Sequence, residues 1–255
     1  MQNGARPNFL RVEIFLVLAA SLGTSAIYSL LHLLQTLLST TGLGGAKTEL
    51  NPALANTEFF DFSYQALGLV YSLAPAALAL YLLRRENDRV FGEIGIWPIR
   101  LKQDFVRAIW LAAAIGLPGL ALYAIARITS LAAKVVPGDL SGYWWVAPML
   151  LLSALRAALQ EEVIMVAYLY KRFDQLGLSF RNQQLISAGM RGLYHAYQGF
   201  AGIIGNFAMG LAFGWAYRKW GRVMPLIIAH FFLDAASFVG YALIAKQLAI
   251  FGGLF

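Results

Sequence analysis

The chain of 255 residues contains no cysteine, which removes disulfide frameworks, thiolate metal sites and cysteine nucleophiles. It is also poor in charge. Asp, Glu, Lys and Arg make up 13% of it, against about 25% in a soluble domain, while hydrophobic residues reach 59%. A soluble globule of this length could not cover its surface with so few charges. There is no internal repeat, low-complexity tract or charged soluble module, so disordered and coiled-coil readings also fall. The net charge of +7 could suggest nucleic acid as a partner, but the placement of the cations argues otherwise. Metal and nucleophile motifs are missing too: there is no His-Glu-x-x-His helix, no Gly-x-Ser-Gly elbow and no Gly-x-Gly-Asp pair.

What is present is a succession of long apolar runs. The first extends without a charge from Ile14 to Ala46, too long for a signal-peptide core of about 7–15 residues, and is read as a retained span. Further runs of the length needed to cross a bilayer give spans near 10–38, 62–83, 105–127, 143–170, 183–199, 200–217 and 223–245. The tail from Lys246 to Phe255 is either an extra short segment or the end of a broken last helix. Continuous rather than alternating apolar runs exclude strands. The expectation is an all-α, polytopic integral membrane protein of seven to eight transmembrane helices. It forms a single transmembrane domain over 1–255, with its chemistry in about 143–245.

Alternating these spans from a cytoplasmic N-terminus puts fourteen cations on one side. They are Arg6, Arg11, Arg84, Arg85, Arg89, Arg100, Lys102, Arg107, Lys171, Arg172, Arg181, Arg218, Lys219 and Arg222. Only Lys47, Arg127 and Lys134 fall in the opposite loops. That bias fixes orientation in a plasma membrane, and reads the positive charge as a topology and lipid-surface signal. The implied partners are membrane lipids, not nucleic acid. Gly210 and Gly214 read as a helix-packing pair, and Pro75, Pro118, Pro148 and Pro225 as tolerated kinks.

Once the loops are assigned, Arg156, Glu161, Glu162, Arg191, His195, His230 and Asp234 remain inside spans, with His32 as a weaker member. An ionisable group in the bilayer costs several kcal/mol and points to function by default. Counted along their helices at about 1.5 Å per residue, Glu161, His195, His230 and Asp234 lie roughly 12–18 Å from the cation-rich ends. Three separate spans therefore bring them to one layer. His230 and Asp234 are four residues apart and share a helix face, as do Arg191 and His195. Glu161 and Glu162 are adjacent and cannot point the same way, so one faces a cavity while the other braces it or pairs with Arg156 or Arg191. Asn206 reaches a similar depth and is a supporting residue. Tyr194 and Tyr197 read as packing. Two chemistries fit this set. A carboxylate can activate water while neighbouring donors stabilise an oxyanion, or Glu161, His195 and His230 can hold zinc.

The ordered trio Glu161-Glu162-Val163-Ile164-Met165-Val166, Arg191-Gly192-Leu193-Tyr194-His195 and His230-Phe231-Phe232-Leu233-Asp234 resembles the three motifs of the CPBP family. These are the CAAX prenyl proteases and bacteriocin-processing enzymes, also called the Abi family. Two positions depart from its pattern: Val166 stands where the first motif has arginine, and Arg191 where the second has an aromatic. The retained charges argue against a decayed site, and the departures read as an exchange in which Arg191 supplies the missing cation. The resemblance implies an intramembrane endopeptidase whose cavity opens to the cytoplasm. Glu161 activates water, His195 orients it, and His230 with Asp234 polarises the scissile carbonyl; Glu162 and Arg191 complete the site. The substrate is then a membrane-associated peptide or protein. No cofactor is required in this mechanism, zinc being the alternative. A non-catalytic immunity or scaffold protein of the same fold is the competing reading, with a proton-coupled transporter behind it.

Overall fold

In a computed structural model of the chain, residues 7–49, 51–136, 143–240 and 243 are described. The tail beyond them, Arg6, and residues 241, 242, 244 and 245 of the expected last span lie outside that set. The described residues are nearly all helical. Helices α1 (Pro7–Ala19) and α2 (Leu22–Leu38) meet at a 52° bend, and a single turn, α3 (Gly42–Gly45), follows. Then come α4 (Glu58–Ser72) and α5 (Ala74–Glu86), together one 29-residue span, and the short α6 (Val90–Glu93). Next are α7 (Leu101–Ile128) and α8 (Val146–Glu161). A π-helical segment, Glu162–Tyr168, runs from α8 into α9 (Leu169–Gln175). The chain then forms α10 (Phe180–Tyr194), α11 (Phe200–Trp220) and α12 (Met224–Ala235), the last continued by a π turn to Gly240.

Local chemistry sets several of these limits. Ser179 caps α10 by accepting from the Asn182 amide, the usual means of satisfying an orphan N-terminal donor. Gly221, at φ +62°, closes α11 in the left-handed region, where glycine carries no steric penalty. Pro75 and Pro225 stand in the opening positions of α5 and α12, where no amide donor is needed. Pro148 lies in the first turn of α8, so only Pro118 sits within a helix. Pro148 and Pro225, expected as kinks, are instead helix starts, while Pro75 stands at the α4–α5 break inside one span.

Three helices are long and apolar enough to cross a membrane, or four when the bent α1–α2 pair counts as one span. Large apolar side chains such as Phe15, Tyr28, Val70, Trp110 and Leu120 are exposed on these helices, the pattern of a lipid-facing surface. The remaining segments of 143–240 are shorter or interrupted by buried polar groups. Two small features depart from the sequence expectation. Lys47–Glu49 and Lys134–Val136 pair as parallel strands outside the spans; the length of apolar runs excludes membrane strands but says nothing about short loop pairings. The fifth segment also ends at Tyr194 rather than at 199, because the chain passes through a 3-10 turn and Gly199 at φ +94°.

The two ends of the bundle are built differently. At the cation-rich end, buried Arg172 donates to Glu13 at 2.7 Å and Glu86 at 2.6 Å, joining α9 to α1 and α5. Arg222 is bidentate on Asp104 and reaches the Pro98 carbonyl, which fixes the start of α12 to α7. These two arginines, read from sequence as topology cations, are structural pairs. At the opposite end the Ala133 amide donates to the Gln198 carbonyl, and the Tyr197 amide to Ser29 Oγ at 2.7 Å. Those bonds pin the α10–α11 turn. An apolar core made by α1, α5 and the π segment, and a second around Val166, Phe213 and Leu226, flank the layer where the site lies.

Candidate active site

Glu161 and Glu162 fall at the junction of α8 and the π segment. Such segments widen the helix by one residue per turn and recur at functional sites. Glu162 is fully buried, and its Oε1 accepts from both Arg191 Nη2 and His230 Nδ1, the latter at 2.7 Å. Glu161 turns elsewhere. Its Oε2 accepts from the Tyr194 hydroxyl at 2.7 Å and lies 3.6 Å from Arg191 Nη1. Among the described residues, no side chain or backbone group bonds its Oε1, and the side chain keeps 11% exposure. The two carboxylates have thus divided: Glu162 is fully buried between Arg191 and His230, and Glu161 is held by a tyrosine with part of its side chain exposed.

Arg191 comes from α10 and spans both glutamates, with its guanidinium stacked 5.3 Å from the Phe213 ring. Phe213 belongs to the same apolar cluster as Val166, the position where the first motif ordinarily carries an arginine. Gly210 lets α11 approach α10 here: a Cβ there would lie 2.7 Å from the Ala188 Cα.

His195 sits where α10 ends, and its Nδ1 is 3.0 Å from the Arg191 carbonyl. A carbonyl can only accept, so Nδ1 carries the proton and a neutral ring presents Nε2 as an acceptor. His230 is buried on α12; its Nε2 lies 3.5 Å from Asp234 Oδ2, too long for a strong hydrogen bond. Asp234, one helical turn on, faces the ring from the same helix.

Asn206 is half-buried and donates to the Gly202 carbonyl of its own helix at 3.0 Å. Arg156 donates to Gln160 rather than to a glutamate. His32 is exposed on α2. Tyr194, read as packing, is instead a direct partner of Glu161; its position three residues from Arg191 on one helix was the available signal. Among the described residues, no three His, Asp or Glu side chains are grouped to hold a metal ion. His230 Nδ1 is bonded to Glu162, and Glu161, His195 and His230 are not grouped around one point that would fit zinc as arranged.

Residues 143–236 match a family model described as Rce1-like, the type II CAAX prenyl endopeptidases. The matched segment contains all three motifs and supports a CPBP/CAAX protease family for this chain. No curated protein and no solved structure matches it.

Proposed function

We propose that the protein is an intramembrane endopeptidase in which Glu161 activates the attacking water. The observation that carries this reading is the division of the carboxylates. Each glutamate leaves one oxygen unbonded, but that of Glu162 is buried beside Arg191 and His230, whereas the Glu161 side chain keeps 11% exposure. A base must reach its water, and of the two Glu161 is the more open to it.

In this mechanism Glu161 Oε1 takes a proton from water while His195 Nε2 accepts the second hydrogen bond and aims the oxygen. The oxygen adds to the scissile carbonyl carbon. The His230 Nε2–H, with the ring protonated between Glu162 and Asp234, donates to the developing oxyanion. Collapse of the tetrahedral intermediate breaks the C–N bond, and the proton held by Glu161 passes to the departing amine. Tyr194 and Arg191 hold Glu161 in place throughout. No step passes through a metal.

The proposed setting is the cell membrane, with seven spans made by 7–38, 58–86, 101–128, 146–175, 180–194, 200–220 and 224–240. The cation-rich end, the N-terminus included, faces the cytoplasm, and a peptide reaches the layer from that side. The family match makes a peptide with a prenylated C-terminal CAAX sequence the first substrate to try. Purified protein in proteoliposomes should cleave such a peptide or its unprenylated counterpart. Glu161→Gln should lose at least about 10²-fold in rate, the usual scale of a general base, with the thermal midpoint nearly unchanged. Equal cleavage by wild type and Glu161→Gln would overturn the assignment. No cleavage of either peptide by wild type would favour the scaffold reading.

A further inference from the structure

Helix α10 carries a second pattern that the catalytic layer does not use. Gln183, Ser187 and Arg191 follow one another at four-residue spacing, and all three are buried. They form a polar file about 12 Å long at 1.5 Å per residue, running inward from the cation-rich end. Gln183 Nε2 donates to Asp174 Oδ1 at 2.7 Å, and Ser187 Oγ to the Met165 carbonyl of the π segment at 2.7 Å. Arg191 then meets Glu162. A helix face packed into a membrane bundle has no structural need for three consecutive polar layers, since each costs desolvation.

The file is also where unmatched polarity collects. Six buried side-chain atoms among the described residues lack a hydrogen-bond partner, and four belong here: Gln183 Oε1, Tyr170 OH, Arg191 Nη1 and Glu162 Oε2. Buried polar atoms are ordinarily satisfied, by protein or by ordered water. Tyr170 is buried, and its hydroxyl points at Gly214, whose missing side chain leaves the room; a Cβ there would stand 2.1 Å from that oxygen. One turn along the same face of α11, a Cβ on Gly210 would stand 2.7 Å from the Ala188 Cα. The glycine pair therefore lets α11 pack closely on α10 and takes the Tyr170 hydroxyl against its face. At its outer end, Tyr170 and Asp174 both line a polar pocket on the cation-rich face, together with Lys171, Tyr217 and Arg218.

We infer that the Gln183–Ser187–Arg191 file, faced by the Tyr170 hydroxyl, is a hydrated route by which water passes from the cation-rich surface pocket to the buried carboxylates. Its purpose rests on the hydrolysis proposed above, which consumes water in an otherwise apolar layer. Its existence is tested without any substrate. Because the chain has no cysteine, a single thiol can be read cleanly. Ser187→Cys is nearly isosteric and lies on the route, whereas Ala167→Cys lies in the apolar core beside the same π segment.

Silver ion, a water-sized thiol reagent, is applied to the intact protein in nanodiscs, and the remaining thiol is counted after denaturation. Ser187→Cys should be blocked on the order of tenfold faster than Ala167→Cys, since thiol reactivity requires access. Adding Gln183→Leu should slow the Ser187→Cys reaction several-fold while the Ala167→Cys rate stays fixed; Tyr170→Phe serves as the second route variant if Gln183→Leu lowers the thermal midpoint. Equal blocking rates for the two thiols, or a Ser187→Cys rate indifferent to both route variants, would overturn the route. Failure of the peptidase assay with the labelling pattern intact would instead remove the proposed hydrolysis and leave the route standing.

Discussion

Two buried arginines organise this protein, and they are buried differently. Arg172 at the cation-rich end holds Glu13 and Glu86, whose side chains keep 18% and 29% exposure. Each has a further partner, Tyr168 for Glu13 and Gln175 for Glu86. Arg191 in the membrane layer holds Glu162 with no exposure and Glu161 with very little. In the first cluster the carboxylates can fall back on water and on neutral donors. In the second only His230 and Tyr194 remain as further partners, and Glu162 Oε2 has none. The first cluster is a brace between helices. The second keeps two carboxylates where their burial alone would forbid them.

The comparison is broken most directly by removing one charge from each cluster. Glu162→Ala strands Arg191 and His230 in the layer and should destabilise the protein by about 3–5 kcal/mol, the cost of an uncompensated buried charge. Arg172→Leu leaves two carboxylates that are partly hydrated and still bonded, so its cost should be nearer 1–2 kcal/mol, roughly that of lost hydrogen bonds. Unfolding in mixed micelles measures both. Equal losses would mean that residual exposure of the partners does not separate the two sites.

Much of the second cluster was legible in the sequence, and less of the first. Charges inside apolar runs are conspicuous, so Glu161, Glu162, Arg191, His195, His230 and Asp234 could be named and brought to one layer by counting residues. Arg172 and Arg222 could not be told from loop cations, because hydropathy registers where a span ends and not whether a terminal side chain folds back onto Asp104 or Glu13. The π segment was invisible for a related reason: an extra residue per turn changes hydrogen bonding without changing composition. It also alters which neighbours share a face, so the split between Glu161 and Glu162 could be anticipated only as a divergence. The span count rested on run length, and among the described residues three or four helices are long and apolar enough where seven to eight were expected. The strand pairing of Lys47–Glu49 with Lys134–Val136 left no signal in short loop sequences.

A sharper test of the layer exchanges the arginine between its two positions. Arg191→Leu should reduce peptide cleavage at least about 10²-fold, as removing a preorganised electrostatic partner does. It should also cost less stability than Glu162→Ala, since Glu162 retains His230. The double change Arg191→Phe with Val166→Arg should recover part of the lost rate, because Val166 shares an apolar cluster with Phe213, over which Arg191 stacks, and residue 166 lies nearly one π turn from Glu162. Recovery in the double variant with none in either single change would establish the exchange. No recovery, with a folded protein, would tie the function to the α10 position alone.

The smallest effect is expected where an ion pair lies in the open. Lys171 meets Glu93 at 2.8 Å at the cation-rich surface, with 32% and 43% of the side chains exposed. The hydrogen bond from Lys171, helped by one from Asn87, holds the Glu93 carboxyl below its ordinary value of 4.5. A carboxylate with a lowered folded-state pKa adds stability above its unfolded value, and that contribution is lost as pH falls through the folded one. Lys171→Ala should therefore cost no more than about 0.5 kcal/mol at neutral pH, the usual worth of an exposed pair. The difference from wild type should vanish once the pH drops well below 4.5, and salt should shrink it at neutral pH. A cost comparable to that of Arg172→Leu, persisting at high salt, would show that the pair belongs to the buried brace rather than to the surface.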